Sequence, residues 1–165
     1  MLFRSQLFVE SCVPVVALNG VVPSSSVPAR VSLKGYERVA FLIIGKNATT
    51  VTGSAITVKQ SKTVAGGSEK AVPLKRIWTS VDYAADPALV ETAVVSDTFT
   101  LPAADSKVSV TVVEVRVDDL DVDAGFDVVG IGTANATAQT VTVIALLYGA
   151  KAAGKPADLV NPLVD

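Results

Sequence analysis

The densest group of side chains able to do chemistry is the stretch Asp118-Asp119-Leu120-Asp121-Val122-Asp123-Ala124-Gly125-Phe126-Asp127. Asp119, Asp121 and Asp123 follow the one-three-five spacing with which an EF-hand loop presents oxygen ligands to Ca²⁺. The match then fails, because Ala124 stands in place of the turn glycine and Gly130 in place of the bidentate glutamate. A solvated acidic turn between two strands accounts for the same residues, and no metal ligand set is assigned. Paired carboxylates also serve glycoside hydrolysis. Here they share one surface turn, and the aromatics that would carry a sugar, Trp78, Tyr36, Tyr83 and Tyr148, are scattered along the chain.

The remaining chemical motifs are weaker. The chain has no histidine, which removes Ser-His-Asp and Cys-His nucleophile systems and HExxH zinc sites. Gly66-Gly67-Ser68-Glu69-Lys70 lacks the spacing of a phosphate-binding loop and reads as a hairpin turn. Ser24-Ser25-Ser26 has no base to activate it. Asn47-Ala48-Thr49 and Asn135-Ala136-Thr137 have the form of glycosylation sequons, but Met1–Cys12 reads poorly as an export signal because Glu10 interrupts it. The lone Cys12 has no internal disulfide partner and reads as a small buried residue. The expectation is a protein that is not an enzyme and has no catalytic residue, cofactor or metal.

The elements that would position any site are strands. Half of the 165 residues are hydrophobic but only 5% are aromatic, and valine is the commonest residue. A core of such β-branched side chains favours pleated sheet over helix. Charged residues make up 18% of the chain, below the roughly 25% typical of soluble domains. The mean hydropathy is +0.49. Part of the apolar excess therefore either faces a partner or fills an unusually valine-rich core. The net charge is −2, with no basic block and no basic–aromatic interleaving, which argues against nucleic acid and membrane surfaces as partners. Val128–Ala150 is long and uncharged, but its middle is polar, so two strands joined by a turn fit it better than a membrane span.

Short Val/Thr-rich runs bounded by Gly, Pro, Asn, Asp or Ser predict strands over Leu2–Val9, Val13–Leu18, Arg30–Leu33, Arg38–Ile44, Ala55–Thr63 and Glu69–Trp78. Further strands fall at Lys107–Asp118, Phe126–Gly132 and Thr140–Tyr148, with Val90–Val95 and Asp97–Leu101 as two short strands or one bent one. Asn19-Gly20, Gly35-Tyr36 and Ala65–Ser68 are turns, Val21–Pro28 and Asp82–Ala88 are loops, and Pro73 marks an edge or a bulge. Arg38–Ile44 is apolar on both faces, which suits a central strand. In Lys107–Asp118 the valines change parity between Val112 and Val113, which requires a bulge or corner unless both faces are buried. Eight to ten such strands predict an all-β, single-domain antiparallel β-sandwich over residues 1–150, jelly-roll-like ahead of immunoglobulin-like. Residues 151–165 carry two prolines and read as an extended C-terminal arm, resting Leu159, Val160 and Leu163 on a neighbour, or as a flexible tail.

Three segments carry a resemblance. Val31–Ile44 (VSLKGYERVAFLII) resembles a loop followed by a central strand, Glu114–Asp127 (EVRVDDLDVDAGFD) a strand–acidic turn–strand block, and Ile144–Ala150 (IALLYGA) a closing strand. In that order they are similar to small tailed-bacteriophage capsid cement (decoration) proteins with a jelly-roll fold. The resemblance implies a virion structural protein, made in the bacterial host cytoplasm, that bridges major capsid subunits on the outer shell and associates with itself as a dimer or trimer. Alternatives are a phage tail or head–tail connector component, or a carbohydrate- or host-binding β-sandwich. Interface candidates are Leu2, Phe3 and Phe8 near the start and Leu159, Val160 and Leu163 near the end, each equally suited to the core, which is the better reading for Phe8.

Overall fold

The computed structural model describes residues 8–23, 29–134, 136–151 and 159–165. After one helical turn at Phe8–Ser11 come β1 (Cys12–Val21), β2 (Ala29–Ser32), β3 (Arg38–Thr52), β4 (Ala55–Ser61) and β5 (Lys70–Ala71). β6 (Arg76–Ser80), β7 (Val90–Ala93), β8 (Thr98–Thr100), β9 (Val108–Arg116), β10 (Val128–Thr133) and β11 (Thr137–Tyr148) follow. Among the described residues no helix is long and apolar enough to cross a membrane.

Two antiparallel sheets result, ordered β1-β11-β3-β9-β6-β7 and β2-β10-β4-β5, with β8 also on β4. Four of the pairings nest: β1 with β11, β2 with β10, β3 with β9 and β4 with β5. One long hairpin ribbon has thus been rolled up, its successive pairs falling alternately into the two sheets. That is the jelly-roll order. β6, β7 and β8 are inserted between the fifth and sixth strands of the roll and widen its sheets.

The core follows from alternation, since side chains on a strand point to opposite faces with period two. Val39, Phe41 and Ile43 of β3, Val113 and Val115 of β9, and Val141, Val143, Ala145 and Leu147 of β11 are all buried to 1% exposure or less. They meet Val31, Ile56, Val58, Val129 and Ile131 from the second sheet. β3 is central, as its composition predicts, though it runs on to Thr52.

Several local expectations need correction. β9 pairs with β3 in unbroken register from Arg38–Arg116 to Lys46–Val108, so no bulge lies at Val112–Val113. The valines of both parities reflect two apolar faces of one sheet. Asn19-Gly20 does not end β1; the strand continues past it with register shifts against β11, and Gly20, at φ +59°, takes up the irregularity in a conformation open to glycine. Glu69–Trp78 is two strands, β5 and β6, in different sheets, and Pro73 lies in the crossing between them. Of the two readings of Val90–Leu101, that of two short strands holds: they are β7 and β8, one in each sheet. Phe8 and Val9 belong to the helical turn, while residues 2–7 of the expected first strand lie outside the described residues.

One end of the sandwich interior is polar. Gln139, wholly buried, donates from Nε2 to Asn47 Oδ1 (2.7 Å) and to the Pro102 carbonyl (3.0 Å), while its Oε1 accepts the Ser54 N–H (2.8 Å). Asn47 Nδ2 donates to the Ala104 carbonyl at 2.9 Å. Gly45 leaves room for this cluster, since a Cβ there would stand 2.7 Å from Ser109 Oγ. Every buried side-chain N and O among the described residues has a hydrogen-bond partner. Gln139 thereby ties the β3–β4 connection to β11 and to the loop entering β9.

Near the other sheet's edge, Glu69 accepts from Arg30 of β2 and, at 3.1 Å, from Lys59 of β4. The Arg30 bond, then the Lys59 bond, holds its carboxyl below the usual carboxylate range. A lowered native pKa adds stability above the unfolded value of about 4.3 and loses it as pH falls through the native pKa. The stability advantage of the native chain over Glu69→Gln, followed by urea unfolding, is therefore present at pH 6 and shrinks as the pH falls below about 4. For Gln139→Leu, urea unfolding at pH 7 should show a loss of about 2–4 kcal/mol, because the buried Ser54 N–H and Asn47 Oδ1 lose the bonds that Gln139 gives them.

Candidate interface on the six-stranded sheet

The strand register places a second apolar set on the face of the larger sheet turned away from the core. Val16 lies beside Ile144, Ile144 beside Leu42, Leu42 beside Val112, and Val112 beside Trp78. This row crosses five strands, about 19 Å at 4.8 Å per strand. Pro14, Leu146, Ala40 and Glu114 form the row on one side of it, and Thr142, Ile44, Val110 and Ser80 the row on the other. Ala40, Leu42, Ile44, Val112, Ile144, Leu146 and Trp78 all stay partly exposed, in contrast to their fully buried neighbours Phe41, Ile43, Val113 and Ala145. At the β1 edge Val16 is 64% exposed. Val110 and Ser80 are buried where the 81–89 segment ties down, with Ser80 Oγ donating to the Asp86 carbonyl (2.6 Å) and the Tyr83 N–H to the Val108 carbonyl (2.7 Å).

A charged rim closes one end of this face. The Arg38 guanidinium lies 5.2 Å from the Tyr148 ring centroid, a cation–π distance, and donates to Glu114 at 3.1 Å. Burial first, and then the Glu114 carboxylate, push the Tyr148 phenol up to about 12, so it stays protonated at physiological pH. The Glu114 bond raises Arg38 further above its already high value. At the opposite edge of the sheet Leu89 and Val90 are exposed, as are Val81 and Tyr83 on the preceding segment, and Val95 beyond β7 is fully exposed.

An apolar sheet face flanked by edge strands that carry exposed valines is of the kind that templates association when left open. It offers neither a nucleophile–base pair nor converging carboxylates. Among the described residues no three Cys, Asp or Glu side chains gather as metal ligands. Asp119 accepts the Arg116 N–H (3.0 Å), Asp121 pairs with Lys70 (2.6 Å), and the acidic stretch forms two short 3₁₀ turns ending at Gly125. Cys12 is buried, and that burial pushes its thiol up, away from the reactive thiolate.

The interface candidates at the termini are placed as follows. Leu2 and Phe3 lie outside the described residues. Phe8 is 58% exposed, so it is not a core residue. Leu159 is half-buried, while Val160 and Leu163 are exposed. That last segment is tied to its own body: Ser32 N–H donates to the Pro162 carbonyl (2.8 Å), Tyr36 Oη to the Val160 carbonyl (2.5 Å), and Val64 N–H to the Asp165 side-chain Oδ1 (2.6 Å). Sequence reasoning misses the sheet face itself. Its signal is present in Leu42, Ile44, Val112, Ile144 and Leu146, apolar at the parity opposite to the core set.

Fold and surface together define a jelly-roll β-sandwich with an open apolar sheet face. No family model matches the chain, and no curated protein matches it. Among solved structures it is similar to the crystal structure of the SPBc2 prophage-derived protein YomS, with 12% identity, coverage of 82% of this chain and 91% of that one, and a TM-score of 0.46.

Adjacent residues on opposite faces give a direct check. Phe41→Ala should cost about 3–5 kcal/mol in urea unfolding, as large-to-small core changes do. Leu42→Ala, one residue on and only partly buried, should cost less than about 1.5 kcal/mol.

Proposed function

We propose that this chain is a virion structural protein, a capsid cement protein of a tailed bacteriophage that binds the outer shell and bridges major capsid subunits. The observation that carries this reading is the apolar row Val16–Ile144–Leu42–Val112–Trp78, which crosses the larger sheet from β1 to β6. A cement protein must adhere over a broad area, withstand pressure from within and do no chemistry. A rolled sandwich supplies rigidity, and the apolar face supplies adhesion. The exposed side chains of the β1 and β7 edges, with Val160, Leu163 and Val164, supply lateral contacts to neighbouring subunits or to further copies in a dimer or trimer. Many weak identical contacts on a repeating shell then add up through avidity. The three sequence blocks that resemble cement proteins fall on β2 and the first part of β3, on the end of β9 through the acidic turn, and on the last part of β11, so each includes part of a central strand of that same sheet. On this reading the protein is no enzyme and needs no cofactor, nucleic acid or membrane.

The test is co-sedimentation with capsids of the encoding phage assembled without this protein. Native chain should saturate them at hundreds of copies per particle. Leu42→Lys with Ile144→Lys should fold normally by circular dichroism and lose at least about tenfold in shell affinity, since each buried lysine forfeits apolar contact and desolvates a charge. Native chain that fails to sediment with capsids would contradict the cement role, and saturation at a handful of copies would assign the protein to a connector or tail.

A further inference from the structure

β6 and β9 pair only from Trp78–Val112 to Ser80–Val110 and then part company. A cleft of about 420 Å³ opens beside the unpaired part of β9, and Pro73, in the crossing from the other sheet, lines it. Trp78 stands at its apex, and Val115 and Leu74 form apolar wall. The Arg116 N–H is directed away from β3, to Asp119, so on this strand the even-numbered residues turn their backbone toward β6. Beyond Val112 the next of these is Glu114, which has no strand partner on the cleft side.

The charge around this cleft is unlike that of the molecule. Arg38, Lys75, Arg76 and Arg116 line it, against Glu114 and Asp119, in a chain whose net charge is −2. Glu114 is engaged by Arg38, and the Asp119 carboxylate by the Arg116 N–H. Arg76 reaches Glu91 at 3.5 Å. The Lys75 ammonium and the Arg116 guanidinium have no carboxylate partner among the described residues. Two cationic side chains without carboxylate partners, the unpaired backbone of Glu114 and the Trp78 side chain therefore share one opening.

We infer that the cleft between β6 and β9 binds an extended acidic peptide segment of a partner protein, which adds to β9 at Glu114 as a short strand and places carboxylates on Lys75 and Arg116. Backbone pairing supplies register, as in other strand-addition sites, and the cations supply the preference for acidic side chains. This inference does not rest on the virion reading, because the cleft and its charge are properties of the isolated chain.

Trp78 is the single tryptophan and lines the cleft, so its emission reports occupancy directly. The probe is a capped hexapeptide of alternating valine and aspartate, titrated into the full chain at low salt. Saturable change in Trp78 emission is expected, weakening several-fold as salt screens the exposed charges. Lys75→Glu with Arg116→Glu, both exposed and free of carboxylate partners, should retain the fold and bind at least about tenfold more weakly, since the attraction becomes repulsion. The hexapeptide N-methylated at alternate residues should also lose binding, which charge attraction alone would not explain. The inference is overturned if the acidic, asparagine-substituted and lysine-substituted peptides bind alike. It is equally overturned if none changes Trp78 emission, or if an acidic oligosaccharide such as trigalacturonate does so where the peptide does not.

Discussion

Every larger feature of this molecule depends on the period-two alternation of β3, β9 and β11, each apolar on both of its faces. One set, with Phe41, Ile43, Val113, Val143 and Leu147, closes against the second sheet and drives folding. The other set, with Leu42, Ile44, Val112, Ile144 and Leu146, has no second sheet to meet and stays partly open. A slip of one residue in any of these strands would exchange the two sets at little apolar cost, so hydrophobic patterning alone fixes register weakly here. Polar groups resolve the ambiguity. Gln139, Asn47, Ser109 and Thr111 all face inward and are buried, and their hydrogen bonds can form in one register only.

The rolled topology distributes these roles. The pairings β1–β11 and β3–β9 put the longest strands in the larger sheet, while the shorter pairs β2–β10 and β4–β5 build the smaller one. The larger sheet thus becomes a broad plate, and the 29–37 and 159–165 segments close the far side through bonds to Ser32, Tyr36 and Val64. The insertion of β6 and β7 widens the plate, and the chain's crossing from β5 to β6 past Pro73 lines the β6–β9 cleft.

Much of this was legible in the residues. Val/Thr runs closed by Gly, Pro and Asp mark most strands to within a few residues, and Arg38–Ile44 reads as central because both its faces are apolar. The errors share a physical cause: local signals were overridden by pairing. Asn19-Gly20 has turn chemistry, yet β11 is long enough to carry β1 past it with an irregular register. The Val112–Val113 change of parity has the form of a bulge, yet it records two apolar faces in an unbroken ladder. Arg116 is far in sequence from Lys75 and Trp78, and nothing local announces that β6 and β9 bring the three to one opening. The open face was legible in principle, from the doubled apolar pattern and the low charge, but a pattern of that kind does not distinguish a face buried within the chain from one buried against a partner.

The central claim is that the outer face of the six-stranded sheet is the surface by which this protein sits on a shell. Cryo-electron microscopy of the phage particle carrying it tests that most directly. The predicted result is an ordered copy at each of many repeated positions on the capsid exterior, with Leu42, Val112 and Ile144 packed against major capsid protein. A map showing that face bare to solvent, or the protein confined to the tail or a single vertex, would contradict it.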